Sequence, residues 1–255
     1  MPERGPSLSP SKITTYLACP VRYRWTYVDP RGKWYVKSKS YYSFGVTLHR
    51  VLEKFHSENE TGVTTTAEVA AAFDENWIGA GFNSAEEMQE AYGEGLEILE
   101  RHVAETIVKP KIANTLYIEQ TFSHKMRGFR LIGRVDRVDE HEDGALEIID
   151  YKTGRDFVDE DDVRTDIAMG VYQLLLKRKH PDKRIFATIL ALRTGAQASW
   201  EMPQEDLDQF EKDLQLLGDE ILSEEFFDLT PVAKPLCRHC DFLPLCRKHP
   251  DFVED

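Results

Sequence analysis

Four cysteines punctuate this 255-residue chain, Cys19 near its start and Cys237, Cys240 and Cys246 near its end. If one ligand set draws on both groups, the chain must turn back on itself, and nearly everything between lies inside one closed loop. The three late cysteines have C-x₂-C-x₅-C spacing. Met1-Pro2-Glu3-Arg4-Gly5 has neither the basic nor the apolar region of a signal peptide. No apolar stretch approaches the ~20 residues that span a bilayer. The expectation is therefore a cytoplasmic, reducing compartment with no membrane partner, where a C-x-x-C pair points to metal rather than a disulfide. On spacing alone, structural Zn²⁺, with His239 or His249 able to replace a cysteine, and an iron–sulfur centre are equally served.

The interior of the loop reads as one α/β unit over 1–255. Hydrophobic residues make up 41% of the chain, enough for a buried core, and 30% are charged. Ser9 as N-cap, Pro10 as first helical residue and Leu8 paired with Ile13 open a helix that Cys19-Pro20 closes. Apolar spacing predicts helices from Gly45 to Glu58 and from Ser84 to Val108, the second with a Ser84/Glu87 capping box. The character changes after Pro110. Leu116–Ser123, Phe129–Asp139 and Leu146–Lys152 read as strands, with a turn at Glu142–Gly144. A helix over Asp162–Lys179, a strand over Arg184–Arg193, a short strand over Ala198–Met202 and a helix over Gln204–Leu222 complete the reading.

Residues two apart on a strand share a face, so Asp150 and Lys152 point the same way. Asp136, on the preceding strand, can meet them across the short turn. Two converging carboxylates make a hard oxygen site suited to Mg²⁺ or Mn²⁺, and a neighbouring lysine can orient an attacking water. Ordinary strand-edge ion pairs would use the same residues. Against that, Ile148-Ile149-Asp150 sets a carboxylate directly after a buried run, where an unpaired charge is costly.

Gly133-Arg134-Val135-Asp136-Arg137-Val138-Asp139 followed by Ile149-Asp150-Tyr151-Lys152-Thr153-Gly154 resembles the PD-(D/E)XK nuclease superfamily, in particular its RecB-like, CRISPR-associated-type iron–sulfur exonuclease branch. Leu8-Ser9-Pro10-Ser11 through Tyr16-Leu17-Ala18-Cys19-Pro20 is similar to that branch's N-terminus, and Phe44-Gly45-Val46-Thr47-Leu48-His49 to its histidine helix. The resemblance implies a restriction-endonuclease-like core, a mixed central β-sheet flanked by helices, with N- and C-terminal segments joined by a metal cluster. It implies His49, Asp136, Asp150 and the Tyr151 backbone carbonyl as metal ligands and Lys152 as the catalytic lysine. It also turns the cysteine reading towards a [4Fe–4S] cluster on Cys19, Cys237, Cys240 and Cys246. Glu119 sits where the family often has a glutamate; a structural salt bridge is the reading given to it here. The family's helical Gln, four residues before a Tyr near the DNA, is replaced by Ala168 when Tyr172 is aligned to that Tyr. Gln173 adjoins it, about 100° around the helix.

The implied activity is Mg²⁺- or Mn²⁺-dependent hydrolysis of DNA, as an exonuclease on single strands or ends in repair, recombination or related processing. The alternative is a weakly active end-binding or complex-assembly subunit with the same fold. A net charge of −13 argues against blanket electrostatic coating of DNA. Arg22, Arg24, Lys33, Lys37 and Lys39, interleaved with Tyr23, Trp25, Tyr27, Trp34, Tyr35, Tyr41 and Tyr42, offer a local single-strand contact, although most of these aromatics are expected in the core. Lys177-Arg178-Lys179 reads as a solvated helix end. No P-loop motif is present, so processive resection would need a separate helicase as partner.

Overall fold

Ser9 starts the first helix as its residue type demands. In a computed structural model describing residues 5–57, 64–108, 113–154 and 156–254, its hydroxyl accepts from Lys12 N at 3.4 Å and Pro10 opens α1 (Pro10–Ala18). Cys19 is extended (φ −166°) ahead of Pro20 and caps the four-residue α2 (Pro20–Tyr23). Two tight turns follow: one π-type over Arg24–Val28, one 3₁₀ over Pro30–Trp34. The expectations placed on Met1–Arg4, Glu58 and Pro110 lie outside the described residues.

The chain divides into two compact units. The first gathers residues up to 37, 125–132 and 209 onwards. In it β1 (Ser7–Leu8) pairs in parallel with the start of β3 (Arg130–His141), Leu8 opposite Leu131. Val21, Trp25 and Phe242 form a small core against which Cys19, Cys240 and Cys246 pack. The tail carries a 3₁₀ turn at Pro235–His239 and the one-turn α9 (Leu243–Cys246).

The second unit comprises residues 38–124 and 133–208. Its helices are α3 (Ser40–His56), α4 (Thr66–Asn76), α5 (Ala85–Val108), α6 (Glu160–Thr165) and α7 (Ile167–Lys179); α8 (Gln204–Ser223) starts in it and from Gln209 onwards belongs to the first unit. Its strands are β2 (Ala113–Lys125), β3 (Arg130–His141), β4 (Leu146–Lys152), β5 (Ile185–Ala191) and β6 (Ala196–Trp200). β3 pairs with β2 and, antiparallel, with β4; β4 and β5 are parallel, Asp150 opposite Ile189; β5 and β6 are antiparallel. The result is a mixed sheet flanked by helices. Phe44, Leu48, Val51, Leu52 and Phe55 of α3 pack with Phe73 of α4, Leu99 of α5, and Ile149 and Tyr151 of β4. Because strand side chains alternate, this sends Asp150 and Lys152 to the other face.

β2 runs longer than the expected Leu116–Ser123 and β6 starts two residues before the expected Ala198, and the helices of the second unit show larger departures. α3 begins at Ser40 rather than Gly45, since its first turn exposes Tyr41 and Tyr42 and adds little to the apolar stripe. α4 has no counterpart in the sequence reading; it buries only Val69, Ala72 and Phe73, too narrow a stripe to stand out, although Thr65 and Glu68 form a capping box. The single helix expected over Asp162–Lys179 breaks at Asp166, which turns extended and accepts from Ala168 N at 2.7 Å as the cap of α7.

Candidate metal centre

β3, β4, β2 and α3 bring one group of side chains together in the second unit. His49 Nδ1, a carboxylate oxygen of Glu119 and one of Asp136 lie within 4.8 Å of one another. His49 Nδ1 is 3.3 Å from Asp136 Oδ1 and 3.8 Å from Glu119 Oε1. Its Nε2 lies 3.1 Å from the Tyr151 carbonyl, and the Tyr151 N–H donates to Asp136 Oδ2 at 2.8 Å. One residue of β4, through its carbonyl and its N–H, therefore orients both the imidazole and a carboxylate. Burial lowers the His49 pKa, but the carboxylates of Asp136 and Glu119 outweigh it and raise it to about 10.

Asp150 is buried, which pushes its carboxyl up, as does Asp136; Lys152 opposes them, and the balance stands at about 6. Lys152 Nζ is 2.7 Å from Asp150 Oδ2 and 3.9 Å from Asp166 Oδ2. Burial lowers the lysine's pKa, but these carboxylates outweigh it and keep the ammonium charged. Carboxylates crowded in a desolvated space repel one another, and a hard cation relieves that repulsion. The oxygen-rich donor set with one imidazole fits Mg²⁺ or Mn²⁺, the nitrogen being better suited to Mn²⁺.

Glu119 does more than the salt bridge expected of it. It pairs with Arg134 Nε at 2.7 Å while also reaching the His49–Asp136 group. Its φ of 47° is, among the described residues, the single left-handed backbone outside glycine. The buried–exposed alternation of β2 changes phase there, as at a bulge, which re-aims the side chain at the centre. A phase change of this kind leaves no mark in residue types.

Behind Tyr151 lies a buried polar cluster that the sequence reading did not anticipate. Arg137 Nη1 donates to the Tyr151 hydroxyl at 2.9 Å and contacts His56 Nε2 at 2.8 Å, while Nη2 pairs with Asp139 Oδ2 at 3.1 Å. Thr115 donates to Asp139 at 2.9 Å. Burial, then Arg137 and His102, hold His56 well below the ordinary histidine range, so it is neutral. Its seven-residue spacing from His49, two turns along one helix, was the available signal.

Tyr172 is half-buried, and burial, then Asp150 and Asp136, raise the pKa of its hydroxyl. A Cβ at Gly133 would lie 2.9 Å from the Tyr172 ring, so only glycine admits this approach. Gln173 is buried, and its side-chain oxygen accepts from Met202 N at 2.9 Å. Of the aromatic–basic segment, Tyr23 and Trp25 fill the core of the first unit, Trp34 is exposed there, and Tyr41 and Tyr42 are exposed in the second unit. Lys177 Nζ donates to the Lys183 carbonyl at 2.8 Å, and Lys183 Nζ pairs with Glu140 at 2.7 Å.

The four cysteines share the first unit. Burial, then Cys240, Cys19 and Cys237, raise the Cys246 thiol to about 11. Cys19 Sγ accepts from Arg22 N and Cys237 Sγ from Lys234 N, each at 3.4 Å. Among the described residues, no three of the cysteine sulfurs come within 4.8 Å of one another, so the thiols are neighbours without a clear cluster arrangement.

No curated protein matches the chain. Among solved structures, the crystal structure of SSO0001 aligns over 91% of this chain and 95% of that one at 11% identity, with a TM-score of 0.34, too low to bear on the fold. The model of the PD-(D/E)XK nuclease superfamily matches residues 7–247, and the chain belongs to that superfamily.

Proposed function

We propose that this chain is a Mg²⁺- or Mn²⁺-dependent DNA nuclease of the RecB-like branch, acting as an exonuclease on single strands or ends. The observation that carries this reading is the convergence of His49, Glu119 and Asp136 within 4.8 Å, beside the Asp150–Lys152 pair at 2.7 Å. His49, Asp136 and Asp150, with Glu119 and the Tyr151 carbonyl, would hold the metal. When bound, it supplies charge stabilisation on the phosphate and activation of the attacking water. Lys152 remains an ammonium and donates to a phosphate oxygen or to the water it orients. Asp150 and Asp166 fix its position from two sides. The Tyr151 N–H keeps Asp136 turned towards the centre.

A [4Fe–4S] cluster on Cys19, Cys237, Cys240 and Cys246 is part of the proposal, as a structural centre that binds the two ends of the chain. Its support is the C-x₂-C-x₅-C spacing and the mutual influence of the thiols. Structural Zn²⁺ is the alternative, and iron and sulfide analysis of anaerobically purified protein separates them. One nuclease domain over 1–255 belongs to the same reading, because the family match runs through segments of both units. DNA is the proposed partner, with a separate helicase or processing complex for unwinding, and the cytoplasm the proposed location.

Asp150→Ala and Lys152→Ala are expected to abolish Mn²⁺-dependent digestion of end-labelled single-stranded DNA while the thermal unfolding transition stays cooperative. Wild-type rates in either variant would end this reading. Ala168 in the family's Gln position, with Gln173 buried, favours the second reading of a weakly active end-binding or assembly subunit. That reading expects metal-dependent binding of labelled ends with almost no product.

A further inference from the structure

α3 carries one stripe, exposed at Tyr42 and Val46 and partly buried at His49 and Glu53, that leads to the candidate metal centre. Tyr42, Val46, His49 and Glu53 follow one another at steps of four, three and four residues, with Tyr41 and Gly45 alongside. They line a groove of about 760 Å³ whose far wall is Glu119, Arg134 and Thr153. Tyr41 and Tyr42 are each 59% exposed, unusual for large aromatic side chains, and their ring centroids stand 4.5 Å apart. Gly45 and Gly154 put no side chain into the groove. Arg50 adds a positive charge to it, while Arg134 there is paired with Glu119 at 2.7 Å.

We infer that Tyr41 and Tyr42 form a stacking site for an unpaired nucleobase of the strand being cut, and so select single-stranded over duplex substrate. The inference rests on the nuclease reading for the identity of the strand. Tyr42 and His49 are seven residues apart on one helix, about 10 Å, or within about three nucleotides of a phosphate at the metal centre. Exposed tyrosine rings take the face of any base without sequence preference, whereas a base inside a duplex is already covered on both faces. Arg50, one residue beyond His49 on α3, meets the backbone beside the metal centre. Glu53, at the other end of the stripe, repels phosphate, so the strand leaves past the tyrosines.

The test is binding by the full-length protein in EDTA, followed by fluorescence anisotropy of a labelled single-stranded oligodeoxynucleotide and of the blunt duplex of the same sequence. The Tyr41→Ala/Tyr42→Ala double variant is expected to lose single-strand affinity by about tenfold or more while duplex affinity is unchanged. Tyr41→Phe/Tyr42→Phe retains wild-type binding, because the rings and not the hydroxyls do the work. Walking an abasic site along the strand is expected to find one position where wild type weakens and the double alanine variant does not. Arg50→Ala, by contrast, weakens strand and duplex alike and flattens the salt dependence. Equal losses on both substrates in the double alanine variant, failure of phenylalanine to rescue, or a wild type without preference for the strand would overturn the inference. Cleavage is scored apart from binding: a protein that stacks single strands through these rings yet cuts nothing keeps this site and loses the nuclease reading.

Discussion

Arg137 holds a full charge where burial alone would oppose one, and three partners make that tolerable. Burial lowers its pKa, while Tyr151, Asp139 and Glu147 more than reverse this. Removing one partner of a buried pair leaves the other uncompensated, which typically costs about 3–5 kcal/mol. Arg137→Met is therefore expected to destabilise the protein by about that amount, read as a lower urea midpoint at unchanged slope. Arg137→Lys should recover only part, since an ammonium cannot reach Asp139 and the Tyr151 hydroxyl with the same planar fork. Mn²⁺ affinity should fall in both variants, because the Tyr151 peptide that orients His49 and Asp136 rests on this cluster. An unchanged midpoint in Arg137→Met would refute the idea. None of this was legible residue by residue. Asp136, Asp150 and Lys152 were, because a charge after Ile148-Ile149 declares its cost in the sequence. Arg137 and His56 declare nothing until the helix and the strand meet.

At the scale of elements, the break between α6 and α7 does work that a continuous helix would not. Asp166 spends its backbone on an extended conformation and its side chain on Ala168 N, and so stands 3.9 Å from Lys152. Asp166→Ala is expected to cost about 1 kcal/mol of stability as a lost cap. Asp166→Asn should keep the cap and restore that stability, yet still lower kcat, since the ammonium loses one of its two carboxylates. A kcat equal to wild type in Asp166→Asn would assign the residue to capping alone. The sequence offered this boundary only weakly: a charged helix start and a charged helix interior read alike. β4 was readable to the residue, because Leu146, Ile148 and Ile149 mark a strand with little polar ambiguity. The left-handed turn of β2 at Glu119 was not, because its cause is a shift in strand phase and not a residue that prefers that conformation.

At the scale of the molecule, two chemistries are assigned to two groups of segments. The carboxylate–histidine centre belongs wholly to residues 38–124 and 133–208, and all four cysteines to the other unit. A ligand that binds only the folded state stabilises it by mass action, about 2.7 kcal/mol at a concentration one hundred times its Kd. Mn²⁺ is therefore expected to raise the thermal midpoint of the wild-type protein, and Asp136→Asn to abolish that rise while leaving iron content untouched. Cys19→Ala should do the opposite: lose iron and sulfide, lower the midpoint in the absence of Mn²⁺, and retain the Mn²⁺-dependent increment. If the proposed cluster is purely structural, cleavage in Cys19→Ala should then fall only in proportion to the folded fraction. Calorimetry with and without Mn²⁺, beside metal analysis and a cleavage assay of the same preparations, reads all of these. A Cys19→Ala protein that keeps its iron and its midpoint would remove the cluster from the proposal, and an Asp136→Asn protein that keeps the Mn²⁺ increment would remove Asp136 from the centre.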